Sequence, residues 1–255
     1  MEILNLNQMP ILKEDQIIVP LFTLDSLLLP GDEMMMRVFE PRYKQMLDDV
    51  TLGDLPYGHV MSNPSMPDIN GCSVPYDVGT LVKVNDLQEQ GTNLLYNAIG
   101  GGRFRIVALI ESALEPEFFN AVFASVDDLT EQYIDEVPTG KLYVRGVIEM
   151  IPELKGDIEK SKWDNLLSLW MLYIEHIAEI NEMDVNDFDI ESEVRNMFLK
   201  SDQEHIWILA SLVLDSLDSQ ILALKATHAE EICSIIESNI QSKLNAIRAF
   251  RQSNE

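Results

Sequence analysis

The first half of the chain sets short apolar stretches between turn-forming residues, which is the pattern of β-strands. The stretches cover residues 17–21, 27–29, 34–39, 79–84, 94–99 and 104–110. A turn is predicted at Gln90 and Gly91, and the three glycines at 100–102 are predicted to break the last two strands apart. We therefore expect a sheet that folds back on itself.

One helix and one loop interrupt these strands. Pro41 suits the first position of a helix, and the apolar residues that follow it fall on one helical face. They are Tyr43, Met46, Leu47 and Val50. Residues 62–75 are rich in Pro, Asn, Gly and Ser, which disfavours helix and strand alike and predicts a loop.

After about residue 138 the apolar spacing becomes helical. Long stripes run through 166–177 and 232–247, and shorter ones through 206–213 and 221–224. Three polar residues are predicted as N-caps, namely Ser161, Asp202 and Ser219. The second half is therefore expected to be a helical bundle, and the acidic run within 175–193 is interpreted as a solvated helix end and loop.

Charge narrows the range of partners. The chain has 255 residues, 18 basic and 43 acidic side chains and a net charge of −25. An acidic surface of this size repels phosphate groups, so neither nucleic acid nor an anionic membrane is expected as a partner.

The start of the chain and its cysteines suggest a cytoplasmic protein. No basic segment precedes an apolar core of about 7–15 residues, as a secretion signal requires, and no run approaches the ~20 apolar residues of a membrane span. Cys72 and Cys233 lie far apart in sequence, in different predicted elements, which gives no disulfide framework.

Candidate catalytic and metal-binding chemistry is weak throughout. The four histidines have neither a nucleophile elbow nor a second His or Cys at ligand spacing, so no triad and no metal site is predicted. The glycines before Arg103 lack the Lys-Ser or Lys-Thr pair of a phosphate loop, and they lie between strands. No cofactor is expected.

Three ordered blocks carry a resemblance to a known family. Residues 20–50 (PLFTLDSLLLPGDEMMMRVFEPRYKQMLDDV), 78–107 (VGTLVKVNDLQEQGTNLLYNAIGGGRFRIV) and, more loosely, 205–240 resemble the N-terminal, substrate-binding domain of Lon proteases. The residues that carry the match, interpreted as structural, are Pro30, Gly31, Glu40, Pro41, Arg42, Tyr43, Gly79, Thr80, Arg103 and Phe104.

The resemblance implies an α+β fold, with a PUA-like β-pseudobarrel that contains one helix and is followed by an all-helical C-terminal subdomain. The expected division is an N-terminal extension at 1–15, the β-rich subdomain at 16–130 and the helical bundle at 131–255. It also implies that the chain binds unfolded or damaged polypeptide as part of protein quality control. Neither the ATPase motif nor the Ser-Lys dyad of a Lon protease is present, so we expect no ATP requirement and no enzyme.

A candidate contact surface follows from the strand at 34–39. Side chains alternate along a strand, so Met35 and Phe39 share a face opposite to that of Met34 and Met36. Flexible thioethers adapt to varied apolar partners. Met35, Phe39 and Arg42 are therefore the predicted polypeptide contacts. The alternative interpretation is a core filled with methionines and one surface methionine that has no binding role.

Three other functions are compatible with parts of the sequence. The chain could be an adaptor that docks on one specific protein, such as a full-length protease, through its acidic helical half. A PUA-like barrel also hosts RNA binding elsewhere, which the charge of −25 opposes. An enzyme with a small-molecule site in the barrel cleft would carry no recognisable motif.

Overall fold

The structure, a computed structural model, describes residues 1–6, 8, 10–69, 72–113, 126–133, 140–181 and 190–254. The chain divides into two compact units, Met1–Pro152 and Glu153–Glu255. The strands of the first unit are β1 (Glu2–Leu4), β2 (Gln16–Leu24), β3 (Glu33–Val38), β4 (Tyr57–Ser62), β5 (Pro75–Gln90), β6 (Asn93–Ile110) and β7 (Arg145–Met150). Its helices are α1 (Pro41–Gly53) and α2 (Val126–Tyr133).

Five of the strands close into a ring. β2 pairs with β4 in parallel and with β7 antiparallel, and the antiparallel pairs β4–β5, β5–β6 and β6–β7 complete the circle. The side chains packed together inside the ring include Leu21, Val60, Phe104, Ile106 and Ile148. The expected sheet folded on itself is thus a closed barrel, and the predicted α+β class is confirmed.

The strand β6 runs unbroken through the three glycines, so the predicted break at 100–102 is wrong. Gly100 pairs with Val82 of β5, and it also exchanges backbone hydrogen bonds with the chain at Gly31 and Asp32. An added Cβ at Gly100 would overlap the carbonyl oxygen of Leu29. The glycine therefore permits a close approach of two backbones rather than ending a strand.

The apolar run at 27–29 is buried but forms no strand, which corrects a second prediction. Its backbone turns at Pro30 and Gly31, where Gly31 has φ +84° and Leu29 donates its N–H to the side chain of Asp32 at 3.1 Å. Three apolar residues in succession are too few to show whether they alternate between two faces. These residues are apolar because they are buried, and a short apolar run is not by itself evidence of a strand.

The strand β7 lies in the region predicted to be wholly helical. It pairs with both β2 and β6, and its residues Val147 and Ile148 are buried in the barrel unit. The structural division consequently falls after Pro152, later than the expected boundary at residue 130, because the barrel requires this strand to close. The segment 1–15 also contains an ordered strand, since β1 pairs in parallel with the end of β6.

Helix α1 covers one side of this unit. Its apolar face packs with β-strand residues in a second cluster that includes Met36, Val38, Tyr57, Tyr96 and Ala98. The phenol groups of Tyr57 and Tyr96 share a buried hydrogen bond of 2.7 Å. The helix begins at Pro41, as predicted, and ends at Gly53.

The described elements of the second unit are helices. They are α3 (Lys160–Ile180), α4 (Ile190–Met197), α5 (Gln203–Val213), α6 (Leu217–Lys225) and α7 (Ala229–Asn254). Phe198 stacks edge-on against Trp163 and Trp170, with ring centroids 6.1 and 5.5 Å away. The Trp163 indole N–H also donates to the Phe198 carbonyl at 3.2 Å, so its polar edge is satisfied inside the core.

One of the three predicted helix caps is confirmed. Asp202 caps α5 by accepting the His205 backbone N–H at 3.1 Å. Helix α6 is capped by Ser216 and not by Ser219, and α3 begins after Glu159, with Ser161 inside its first turn. Several Ser and Asp residues lie near each helix start, and only the backbone geometry selects among them.

Candidate functional site

The candidate site is the outer face of a three-stranded arm of the sheet. The arm consists of β3, the first half of β6 (93–99) and the second half of β5 (83–90), which run side by side. Exposure alternates along β3, with Met35 78% exposed and Met36 only 6% exposed. Phe39, just after the strand, is 49% exposed, and the alternation of β3 carried one residue further would place it on the side of Met35. The predicted alternation of the methionine run is therefore present in the structure.

Cross-strand pairing extends this face beyond the residues that the sequence singled out. Met35 lies opposite Asn97, Arg37 opposite Leu95, and Glu33 opposite Ile99, all through the β3–β6 ladder. Leu95 and Ile99 are partly exposed. Paired residues point to the same side of a sheet, so these two side chains join Met35 and Phe39 in one surface.

The third strand supplies a polar and basic margin. Lys83 pairs with Ile99, Asn85 with Asn97 and Gln88 with Leu95, and all three β5 residues are exposed. Together with Arg37, Lys83 places cations beside the apolar residues, although the chain as a whole carries −25. We call this set the arm surface, defined by Met35, Arg37, Phe39, Lys83, Leu95 and Ile99.

The two faces of the arm differ because only one of them packs on the helix. Met36 and Val38 of β3 and Tyr96 and Ala98 of β6 belong to the buried cluster that includes the apolar residues of α1. Among the described residues, none of those on the opposite face of the arm belongs to this cluster. Exposed apolar side chains that are contiguous on a rigid sheet are typical of surfaces that bind other proteins.

The outer edge of β3 adds a second feature to this surface. Within the described part of the chain β3 pairs with β6 alone, so backbone N–H and C=O groups along its other edge are not used by a neighbouring strand. An open edge beside exposed apolar side chains can hydrogen-bond to an extended polypeptide of any sequence.

The Phe-Glu-Pro-Arg-Tyr segment holds the start of α1 in place. Glu40 is the N-cap residue and Pro41 takes the first helical position. Arg42 binds the Glu40 carboxylate at 2.8 Å and donates to the Cys72 sulfur at 3.3 Å, and it lies over the Tyr43 ring. With a side chain only 15% exposed, Arg42 ties the helix start to the loop before β5.

Tyr43 completes this anchor from inside the core. Its ring lies 4.1 Å from that of Phe22, and its hydroxyl donates to the Thr23 carbonyl at 3.4 Å. Burial raises the pKa of Tyr43 well above its usual value, so the phenol stays neutral. The segment that best carries the family resemblance therefore has contacts of a structural kind.

The other matched block places a row of buried polar side chains across the barrel wall. His59, Thr80 and Arg103 are register partners on β4, β5 and β6, and each is less than 5% exposed. Arg103 donates to the Pro152 carbonyl at 2.7 Å, and His59 contacts the Ser26 carbonyl at 2.9 Å through Nε2. Gly79 and Phe104 lie beside this row.

Burial controls the charge of this row. It lowers the pKa of His59 and also that of Arg103, because a charged side chain is poorly solvated there. Among the described residues, His59 Nδ1 and Thr80 Oγ1 have no hydrogen-bond partner. We interpret the row as part of the barrel wall, since none of its side chains reaches the surface.

The loop predicted at 62–75 connects β4 to β5. Asn63 donates its backbone N–H to Val74 at 2.8 Å, and Ile69 and Cys72 exchange hydrogen bonds of 2.9 Å. Residues 70 and 71 lie outside the described residues, as do residues 182–189 of the acidic run. Cys72 is buried, and neither Cys72 nor Cys233 forms a disulfide.

A hollow of about 650 Å³ opens in the helical unit, beside the junction of α4 and α5. Its lining mixes apolar side chains such as Leu199 with cations such as Lys200 and carboxylates such as Asp157. Arg195, which also lines it, is paired with Glu191 at 2.9 Å. Side chains of both charges thus line the hollow, and they do not select one class of ligand.

In the described residues, no group of three or more His, Cys, Asp or Glu side chains is placed to hold a metal ion. Over the same residues, no helix is long and apolar enough to cross a membrane.

Comparison with known proteins identifies the fold. The chain matches no family model, and no curated protein matches its sequence. Among solved structures it is similar to a Lon N-terminal domain protein from Xanthomonas campestris, with TM-score 0.54 and 19% identity over 86% of this chain and 97% of that one. It is also similar to the N-terminal domain of a Mycobacterium avium complex Lon protease, with TM-score 0.54 and 12% identity over 88% and 98% of the two chains.

Proposed function

From its Lon N-terminal fold, we propose that this chain is a non-catalytic module that binds unfolded or exposed hydrophobic segments of other polypeptides. The proposal includes a role in protein quality control without ATP, in the reducing cytoplasm. The single observation that carries it is the arm surface, where Met35 is 78% exposed on the sheet beside Phe39, Leu95 and Ile99.

The mechanism follows from the two kinds of group that the arm offers. Exposed apolar side chains remove hydrophobic surface of a client from water, and the open edge of β3 supplies backbone hydrogen bonds that are independent of client sequence. Neither interaction involves a chemical step. Modest apolar contact of this kind gives affinities of about 1 μM, or about −8 kcal/mol.

The net charge of the chain adds a preference among clients. Its value of −25 attracts basic segments from a distance, whereas Arg37 and Lys83 within the arm surface attract carboxylates only at close range. Segments that join apolar residues to basic ones should therefore associate faster than acidic segments, and salt should reduce the difference.

Arg42 has a supporting place in the proposal. Its guanidinium is occupied with Glu40 and Cys72, so it fixes the Phe39–Glu40 segment at the end of β3. We therefore assign the direct contacts to Met35 and Phe39 and expect Arg42 to act by holding that segment in position.

The test replaces the two exposed contacts. A Met35→Gln, Phe39→Gln double variant should bind unfolded model proteins at least about tenfold more weakly, because two apolar side chains no longer leave water on binding. Binding is measured by fluorescence anisotropy with a chemically unfolded, labelled client. The thermal midpoint of the variant should match that of the unmodified chain, since neither side chain is buried.

A matched control removes two apolar side chains elsewhere that are as exposed as Met35 and Phe39 or more so. Leu52 at the end of α1 is 89% exposed and Leu199 in the helical unit is 77% exposed, so a Leu52→Gln, Leu199→Gln variant should bind normally. Equal binding by the arm variant and the control would contradict the proposal. Binding that is lost only when the helical unit is removed would instead favour an adaptor that docks through its acidic helices.

A further inference from the structure

The strand β1 occupies an edge of the barrel that the rest of the sheet leaves open. On this side of β6, the ladder with β5 reaches only as far as the pair Val78–Arg105. Beyond it, β1 pairs in parallel with β6, from Glu2 opposite Ala108 to Leu4 opposite Ile110. Three residues of the N-terminal segment therefore fill the place beside β6 with which the first residues of β5 (75–77) do not pair.

The two apolar residues of β1 enter different parts of the barrel unit. Ile3 lines a small cavity with Cys72, Val74 and Leu109, at the end of the cluster that fills the barrel. Leu4 points to the other side of the sheet and packs with Ala108, Ile110 and Val147. Successive residues of any extended segment alternate in this way, so the edge selects two neighbouring apolar residues in an extended backbone.

The attachment of β1 is slight compared with that of the other strands. It spans Glu2–Leu4 only, and Ile3 is still 45% exposed. One further backbone hydrogen bond, from the Glu111 N–H to the Leu4 carbonyl at 3.1 Å, ends the pairing. Among the described residues this short strand is paired along one edge only, and such a strand belongs to the part of a fold that opens at low free-energy cost.

We propose that the β6 edge at Ala108–Ile110 is an acceptor site for an extended apolar segment of another polypeptide, and that β1 is the occupant which such a segment displaces. The incoming segment would run parallel to β6, with one apolar side chain in the position of Ile3 and the next in that of Leu4. This site is separate from the arm surface and does not depend on it.

The chain that links β1 to β2 determines how concentrated a competing segment must be to displace β1. Residues 5–15 connect β1 to β2, and a connection of this length gives the tethered strand an effective concentration in the millimolar range. A free peptide with the same three contacts therefore cannot displace β1 unless it is present at about 1 mM or more. A client succeeds at lower concentration if it extends the pairing or is held elsewhere on the protein.

The experiment uses Cys72 as a reporter in the full-length chain. In a Cys233→Ser background, Cys72 is the sole thiol, and at 5% exposure beside Ile3 it should react slowly with a thiol reagent. Adding Ile3→Asp and Leu4→Asp should release β1 and raise the Cys72 labelling rate at least about tenfold, equivalent to about 1.4 kcal/mol of lost protection. The control is Ile11→Asp, because Ile11 lies in the same segment and is 98% exposed.

A second measurement adds a peptide with the sequence of residues 1–6, MEILNL. It should slow Cys72 labelling in the Ile3→Asp, Leu4→Asp chain back toward the original rate, whereas the same peptide N-methylated at its Leu4 position should not. A Met35→Gln, Phe39→Gln exchange in the same chain should leave peptide protection unchanged, which separates this site from the arm surface.

Three results would overturn the proposal. The first is a Cys72 labelling rate that is the same in the Ile3→Asp, Leu4→Asp and Ile11→Asp chains. The second is a failure of the peptide at several millimolar to protect Cys72, and the third concerns amide exchange. If the double Asp variant does not fold, Ile3→Ala with Leu4→Ala provides the same comparison with a smaller change. In the unmodified chain, amide exchange at Glu111 should be faster than at Ile106, and equal rates would also contradict the proposal.

Discussion

At Gly100, two backbones approach so closely that a side chain has no room. The strand β6 continues through this residue, and its N–H and C=O bind Asp32 and Gly31 of the turn that follows the buried leucines. Sequence alone suggested a strand break, because glycine is usually unfavourable within strands. The partner backbone that justifies the glycine comes from a segment that is distant in the chain.

This close approach predicts a difference between neighbouring glycines. Gly100→Ala should lower the free energy of unfolding by about 1–3 kcal/mol, since the Leu29 carbonyl must move. In the control, Gly102→Ala, the new methyl group meets only the flexible end of Met150, so the change should stay within about 0.5 kcal/mol. Denaturant unfolding monitored by circular dichroism measures both, and equal costs would show that the contact with Leu29 is unimportant.

The buried histidine predicts an acid sensitivity of the barrel unit. Burial lowers the pKa of His59 from 6.5, so below that pH the unfolded chain takes up a proton that the folded chain resists. The contribution of His59 to stability is therefore complete above pH 6.5 and declines as the pH falls toward its folded pKa. The slope from one such group is at most about 1.4 kcal/mol per pH unit.

His59→Gln should remove this part of the pH dependence. Thermal unfolding between pH 5 and pH 8 is compared with that of Thr80→Val, which alters the adjacent buried residue and retains the histidine. The Thr80→Val chain should keep the acid sensitivity, while the His59→Gln chain should have a flatter profile. Parallel profiles for His59→Gln and the unmodified chain would show that another group is responsible.

Individual elements were predictable where a local signal set their boundaries. The helix α1 begins at Pro41 and ends with Asp54 in a left-handed conformation, so both ends depend on residues within the element itself. The boundaries of α3 and α6 were less accurate, because neighbouring Ser, Asp and Glu residues offer alternative caps. Strand β7 was missed because its pairing partners β2 and β6 are remote in sequence.

The confirmed cap on α5 gives a prediction for that helix. Asp202→Ala should destabilise the helical unit by about 0.5–2 kcal/mol, because the His205 N–H loses its acceptor. Asp202→Ser keeps an acceptor oxygen at the cap and should recover most of the loss. The three tryptophans, Trp163, Trp170 and Trp207, all lie in this unit, so tryptophan fluorescence during denaturant unfolding reports its stability directly. A loss of the same size in both variants would show that the cap is not the cause.

At the scale of the whole molecule, the chain consists of two units, and the position of the boundary decides whether the barrel keeps β7. All seven described strands, as well as the arm surface, lie in Met1–Pro152. The expected boundary at residue 130 would separate β7 from its two partners and open the barrel. We therefore place the functional boundary after Pro152.

Two fragments test this boundary. The fragment 1–152 should fold and bind unfolded clients through the arm surface, whereas 1–130 should fail to form a stable barrel because β6 and β2 lose the strand that joins them. Circular dichroism and the dispersion of amide resonances measure folding, and anisotropy measures binding. A well-folded 1–130 fragment would show that β7 is dispensable, and a folded 1–152 fragment without binding would move the site to the helical unit.

Sequence by itself determined the features that depend on neighbouring residues. The alternation of Met34, Met35 and Met36 sets which side chains point outward, the helical spacing after Pro41 sets the buried face of α1, and the motif blocks indicated the α+β fold. Each is a property of a few consecutive residues and their local geometry. The confirmed elements, such as α1, β3 and the cap at Asp202, are of this kind.

Only the tertiary structure decided which distant segments meet. It brought Leu95 and Ile99 beside Met35, placed Leu29 against Gly100, closed the barrel with β7 and added β1 to the edge of β6. Pairing between remote strands depends on the whole arrangement of the chain, because each contact is favourable only when the others bring its partner within reach. The arm surface and the β6 edge both arise from such pairings.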